Sequence, residues 1–161
     1  MPRSSESLRR HVLELLKGKS AHVDLEGALA DFPVKLRGIK PKGAPHSAWQ
    51  LLEHIRIAQW DILEFSRNPK HVSPTWPDDY WPKTVAPPSA AAWNKSVREV
   101  RADLKAMEQL VQSKQSDSLR RIPHGEGQTL LREALLLADH NAYHGGQLVL
   151  LRRLLGAWSP R

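Results

Sequence analysis

The stretch TLLREALLLADHNAYHGGQLVLLRRLL, residues 129–155, decides the fold and holds the most informative pair of residues in the chain. It is leucine-rich, begins at a capping threonine and ends before Gly156, which is typical of a long amphipathic helix. One predicted face of this helix carries Glu133, Leu137, His140, His144, Gln147, Leu151 and Leu154. His140 and His144 are therefore expected to lie one turn apart and to point towards the core.

Two imidazoles four residues apart on a helix can bind one metal ion, with each nitrogen about 2.1 Å from it. A third ligand is needed, and the best candidate is His54, in the apolar segment of residues 51–55 on an earlier helix. The spacing alone is weak support, because the chain has eight histidines. From the residues alone, a metal site and a set of hydrogen-bonded core histidines both stay open.

Length and composition restrict the class of protein. The 161 residues predict a single domain over 1–161. The net charge is +7, but the basic residues are mostly interleaved with acidic ones, and only residues 34–42 form a basic strip. This distribution predicts a solvated surface and no nucleic-acid partner. Because there is no cysteine, any thiol chemistry would need a thiol supplied by a substrate.

The sequence also argues against a membrane partner. No stretch approaches the roughly 18 apolar residues of a membrane span. Residues 1–6 lead into a charged amphipathic helix, unlike a secretory signal. We therefore expect a cytoplasmic protein.

Hydrophobic periodicity predicts an all-α four-helix bundle. The long helical segments are residues 5–17, 47–65, 89–111 and 129–155, with a short helix over 23–30. No alternating strand pattern and no internal repeat occurs. Residue 47 starts a capping-box pattern.

Residues 67–88 contain six of the twelve prolines, so they predict a long ordered loop. At about 3.3 Å per residue the loop can cross the length of the bundle, which would let its flanking helices lie parallel. Its aromatic residues predict a lid on the body of the protein. The alternative is that Trp76, Tyr80 and Trp81 only cover the edges of the core.

Gly145 and Gly146 interrupt the last helix, and each costs about 1 kcal/mol relative to alanine. We interpret them as places where a side chain is unwelcome, because either another helix or a ligand approaches closely.

Several segments together resemble the DinB-like superfamily, also described as DinB/YfiT-like metal-dependent hydrolases. They are WQLLEH (49–54), WPDDYWP (76–82), TLLRE (129–133) leading to DHNAYH (139–144), GQL (146–148) and LGAW (155–158). The resemblance implies an up-down-down-up bundle, often dimeric, with a long crossover between the second and third main helices. It also implies a divalent metal ion bound by one histidine of the second helix and two of the fourth, which here are His54, His140 and His144.

Three protein ligands leave a position for water or substrate, as in catalytic zinc sites. In H-E-x-x-H proteases a glutamate follows the first histidine as general base, but Asn141 stands there, which disfavours such a peptidase. Other candidate bases are Glu53, Asp61, Asp139 and Tyr143, for each of which a surface or supporting role is the alternative. No catalytic residue is assigned.

A metal ion can also deprotonate a substrate thiol without a protein base, and some relatives are thiol transferases or thiol-dependent isomerases. We therefore predict a metal-dependent hydrolase or thiol transferase that acts on a small-molecule substrate such as a low-molecular-weight thiol, and a homodimer. The cofactor would be zinc or nickel, with iron, manganese and copper also compatible. The alternative is a non-catalytic bundle that binds a metal or ligand for stress response, sensing or assembly. A nucleic-acid binder is a third, less favoured hypothesis.

Overall fold

The structure is a computed structural model that describes residues 2–113 and 120–158; Met1, residues 114–119 and residues 159–161 lie outside the described part. Its α-helices are α1 Pro2–Lys17, α2 Leu25–Leu29, α3 Ala48–Arg67, α4 Ala90–Gln112 and α5 Leu130–Leu154. Two short 3-10 helices, Val34–Leu36 and Asp78–Tyr80, lie in the connections. The described residues form no strand apart from one isolated bridge, so the predicted all-α class is confirmed.

The helices begin where the capping residues predict. Ser47 and Gln50 form a capping box, in which each side chain accepts a hydrogen bond from the backbone N–H of the other residue. The Ser89 and Thr129 side chains cap α4 and α5 in the same way, by accepting from the third residue beyond them. α1 differs, because it begins at Pro2 rather than at Ser5. Proline is compatible with the first turn of a helix, where its missing N–H would have no partner.

Two buried clusters establish the direction of the main helices. One contains Leu52 and Ile55 near the start of α3, Trp93 near the start of α4, and Leu148 and Leu151 near the end of α5. The other contains Leu63 at the end of α3, Met107 and Val111 at the end of α4, and Leu130 and Leu137 at the start of α5. α3 and α4 are therefore parallel, and α5 runs against both.

The direction of α1 follows from the chain that leaves it. α1 leads into α2, and α2 lies against the last part of α5, where Arg152 Nη1 donates to the carbonyl of Ala28 at 3.2 Å. α1 thus runs in the same sense as α5. The result is the up-down-down-up arrangement, with residues 68–89 as the long crossover between α3 and α4.

The crossover is held on the start of α3 by hydrogen bonds. Ser47 Oγ donates to the carbonyl of Val85 at 2.5 Å, and Trp49 Nε1 donates to Thr84 Oγ1 at 3.0 Å. These bonds bring the aromatic part of the loop to the first turns of α3. No helix in the described ranges is both long and apolar enough to span a bilayer.

α5 departs from the predicted pattern in two places. A side-chain carbon on Gly146 would have no neighbour within 4 Å, and one on Gly145 would only touch Leu25 at 4.0 Å. The expectation that close helix packing requires both glycines is therefore wrong. Leu154, predicted on the core face, is 58% exposed, whereas the next residue, Leu155, packs against the core.

Candidate metal centre

The three histidines singled out by the sequence come together between α3 and α5. One potential ligand nitrogen from each of His54, His140 and His144 lies within 4.8 Å of the other two. The Nε2 atoms of His54 and His140 are 3.1 Å apart. Nitrogens about 2.1 Å from one tetrahedral ion are about 3.4 Å from each other. The cluster therefore has approximately the dimensions of a three-nitrogen metal site.

Hydrogen bonds from outside the cluster orient two of the rings. His54 Nδ1 donates to the backbone carbonyl of Tyr80 at 2.9 Å, and His144 Nδ1 donates to Oε1 of Gln147 at 2.7 Å. Because both partners are acceptors, the proton of each ring lies on Nδ1 and the Nε2 atom keeps its lone pair. Two lone pairs are thus available to the cluster.

His140 shows that hydrogen bonding within the protein does not satisfy the cluster. Its Nδ1 atom is buried and has no hydrogen-bond partner among the described residues. Its Nε2 atom faces the Nε2 atom of His54. Whichever nitrogen of His140 carries the proton, one of the two remains unpaired, which is costly in a buried group. The donor set of three imidazoles fits a divalent cation better than it fits the alternative of satisfied core histidines.

The electrostatic environment keeps the three rings neutral. Burial lowers the pKa of His54 to about 4, and the neighbouring His144 and His46 act in the same direction. Burial lowers the pKa of His140 to about 3, with a further contribution from the other two rings of the cluster. Burial also lowers the pKa of His144. Neutral imidazole is the form that binds metal ions, so the site is ready for a cation near neutral pH.

The model of the DinB superfamily matches residues 19–148, a range that includes all three histidines. The chain belongs to the DinB superfamily. No curated protein and no solved structure shows significant similarity to it. The family suggested by the sequence motifs is confirmed over most of the chain.

In this DinB-superfamily protein, part of the crossover covers the site. The ring of Trp81 lies parallel to that of His54, with centroids 3.9 Å apart, and His46 stacks on its other side at 4.0 Å. Tyr80 is buried beside them, whereas Trp76 is 68% exposed. The lid interpretation fits Tyr80 and Trp81, and the alternative of covering the edge of the core fits Trp81 as well, because it packs against the buried cluster. Neither fits Trp76. His46 precedes the cap of α3 outside any helical pattern, so the sequence offered no signal for its role.

A buried polar network anchors the lid. The Tyr80 hydroxyl donates to Oδ2 of Asp61 at 2.5 Å, and Nε2 of His71 lies 2.7 Å from Oδ1 of the same carboxylate. Burial raises the pKa of Tyr80 well above its ordinary value, and the bond to Asp61 acts in the same direction, so the phenol keeps its proton. Asp61 thus holds the residue whose carbonyl orients His54.

The candidate general bases do not meet at the cluster. Burial opposes ionisation of Glu53, but hydrogen bonds from Arg56 and Ser96 outweigh it and lower its pKa. Its carboxylate accepts from Arg56 on the same helix and from Ser96 of α4, and the second bond joins α3 to α4.

The remaining candidates have other surroundings. The Asp61 carboxylate is engaged by Tyr80 and His71, and Asp139 is exposed. Only Tyr143 touches the cluster, with its ring centroid 4.9 Å from that of His144, and its side chain is largely exposed. Among the described residues no aspartate or glutamate belongs to the histidine cluster.

Proposed function

We propose that this protein is a metal-dependent enzyme in which His54, His140 and His144 hold one divalent ion, and in which the activated group is a water or a low-molecular-weight thiol. The observation that carries the proposal is the convergence of three neutral imidazoles without a fourth histidine, aspartate or glutamate in the described cluster. Three protein ligands with a remaining position are typical of catalytic sites, whereas structural zinc sites use four.

The ion, when bound, would lower the pKa of the water or thiol next to it. The chain supports that chemistry by orienting its ligands. Tyr80 and Gln147 accept the Nδ1 protons of His54 and His144, which directs both Nε2 atoms into the cluster. Trp81 covers one face of His54 and keeps water from that side.

The surroundings of the cluster favour a thiol over a hydrolytic water. Hydrolysis generally uses a base to remove protons from water, and among the described residues no aspartate or glutamate belongs to the histidine cluster. A thiol ionises much more readily and needs no such base. Thiol transfer is therefore the leading reaction class and hydrolysis the second.

The cofactor we propose is zinc or nickel, because imidazole nitrogens suit both; iron, manganese and copper are the alternatives. The partner is a small-molecule substrate. The homodimer implied by the family resemblance stays a prediction, which light scattering of the purified protein would test.

Metal analysis of the purified chain and its variants tests the site. We expect about one ion per chain, and loss of most of it in each of His54→Ala, His140→Ala and His144→Ala. The matched control is His11→Ala, because His11 is exposed on α1 and bonds to Glu14. Unchanged metal content in all three cluster variants would exclude these residues as ligands.

A turnover assay separates the enzyme from the non-catalytic alternative. The metal-loaded protein would be incubated with low-molecular-weight thiols and electrophiles, and in parallel with ester and amide substrates. Turnover that His140→Ala abolishes supports an enzyme. Metal binding without turnover on either panel supports a sensing or assembly role.

A further inference from the structure

A second feature lies beside the candidate metal centre, at the end of α5. A cavity of about 300 Å³ opens between the turn that precedes α3 and the last turns of α5. Its lining includes Lys42, His46, Leu51, Gln147, Leu150 and Leu154. The volume is at the lower end of the range for small-molecule sites.

Two of the lining residues also belong to the surroundings of the histidine cluster. His46 stacks on Trp81, which in turn stacks on His54. Gln147 accepts the Nδ1 proton of His144 through its Oε1 atom. A molecule in the cavity would therefore be one side chain away from His144 and two side chains away from His54.

The floor of the cavity is apolar. Leu51 is buried beneath it, while Leu150 and Leu154 are each 58% exposed. Uncovered leucine side chains lose the free energy that burial would supply, so an aliphatic group placed against them would be stabilised.

The rim of the cavity is cationic. Lys42 lines the cavity. Lys40 lies near His46, and its positive charge acts together with burial to lower the pKa of His46. No aspartate or glutamate is among the described lining residues. The Nε2 amide group of Gln147 also remains as a hydrogen-bond donor, because the Oε1 atom is the one that accepts from His144. The apolar floor of the cavity suits an aliphatic chain, and its cationic rim suits a negative charge, so the two together match an aliphatic anion.

We propose that this cavity binds a small aliphatic carboxylate, with the chain against Leu150 and Leu154 and the carboxylate towards Lys42. It follows that the substrate of the neighbouring metal centre is an amphiphilic carboxylic acid, and this last step rests on the proposed function. The binding itself does not require the ion.

The test is calorimetric titration of octanoate into the full, metal-free chain, with 1-octanol and octylamine as matched probes of the same chain length. We expect octanoate to bind at least about tenfold more tightly than octylamine, with 1-octanol between them, because the rim attracts a negative charge. Lys42→Ala should weaken octanoate several-fold and leave 1-octanol unchanged. Lys35→Ala, in the same basic strip, is the control and should change neither.

A second pair of variants tests the floor. Leu150→Asp should weaken octanoate at least about tenfold, whereas Leu136→Asp should not. Leu136 is also a partly exposed leucine of α5, and it does not line the cavity. Both leucine side chains are exposed, so an aspartate fits at either position. Circular dichroism would verify that the variants stay helical.

Three results would overturn the proposal. The first is that octanoate binds no better than octylamine, and the second is that the two leucine variants behave alike. In the third case octanoate fails to bind while Leu150→Asp converts a dimer to a monomer, which would assign the leucines to contact with a second copy. His140→Ala should lose metal yet still bind octanoate, so this proposal and the proposed function can fail separately.

Discussion

The backbone carbonyl of Tyr80 accepts a hydrogen bond from Nδ1 of His54 at 2.9 Å, although the two residues are 26 positions apart. The same tyrosine is anchored through its hydroxyl to Asp61, which lies about two helical turns beyond His54 on α3. The crossover therefore orients a proposed metal ligand through its main chain, while its side chain fixes the crossover to the helix. Loop conformation and ligand orientation are coupled by these two bonds.

Tyr80→Phe tests this coupling. The substitution removes the bond to Asp61 and loosens the carbonyl that orients His54, so we expect metal affinity to fall about tenfold, as is typical when a group that supports a ligand is lost. Competition with a chromophoric chelator measures the affinity. Tyr143→Phe, at an exposed tyrosine beside His144, is the control and should leave the affinity within about twofold. Reduced stability with unchanged metal affinity would show that the tyrosine is only structural.

Acidification should destabilise the metal-free protein. The folded-state pKa values of His54 and His140, about 4 and about 3, lie below the ordinary value of 6.5, so the unfolded chain binds more protons than the folded chain in that interval. The free energy of unfolding should thus be highest above pH 6.5 and fall as the pH decreases towards 4. Each additional proton bound by the unfolded chain lowers the free energy of unfolding by up to about 1.4 kcal/mol per unit decrease in pH.

Urea unfolding at pH 7, 6 and 5 would measure this effect. His140→Gln should have a shallower dependence on pH than the unaltered chain, because one of the histidines with a lowered pKa is gone. An equal slope in both proteins would contradict the assignment of the acid sensitivity to this residue.

Two glycines should respond to alanine in opposite directions. Gly146→Ala adds a methyl group that meets nothing within 4 Å, inside a helix, so it should stabilise the fold by about 0.5–1 kcal/mol. Gly38→Ala would place its methyl carbon 2.5 Å from that of Ala86. It should destabilise the fold by about 1–3 kcal/mol, because Ala86 of the crossover lies against Gly38. Thermal unfolding checks both, and destabilisation by Gly146→Ala would contradict the space observed on α5.

A buried amide pair links α3 to two other helices. Gln59 is fully buried, donates from Nε2 to the carbonyl of Val100 at 2.6 Å and accepts from Nδ2 of Asn141 at 2.7 Å. Gln59→Leu should cost about 1–3 kcal/mol, because it leaves the amide of Asn141 without its acceptor. Adding Asn141→Leu should recover part of that loss. Denaturant unfolding of the single and double variants measures the coupling, and strictly additive losses would refute it.

The hydrogen bond from Asn141 to Gln59 explains why the Asn141 side chain is not in the position of a general base. Its position in the sequence corresponds to the glutamate of H-E-x-x-H sites, yet its side chain donates to Gln59 in the core. The motif disfavoured a base there because an amide does not accept a proton near neutral pH. The reason visible in the structure is different, because the side chain serves packing between α3 and α5.

Local patterns determined the helices and much of the site. The caps at Ser47, Ser89 and Thr129 and the periodic leucines depend on residues within one or two turns, so they could be predicted from the chain alone. The pairing of His140 with His144 is equally local, since positions four apart share a helix face. The proline-rich stretch was long enough to allow parallel flanking helices, and both the apolar segment 51–55 and the family motifs indicated His54.

Only the tertiary structure decided what surrounds those histidines. The stacking of His46 on Trp81, the carbonyl of Tyr80 on His54 and the engagement of Asp61 by the crossover join segments far apart in the chain. The space beside Gly146 and the exposure of Leu154 depend likewise on where neighbouring helices end. Periodicity reports the face on which a residue lies, but contact across segments depends on how the helices pack, which no local spacing encodes.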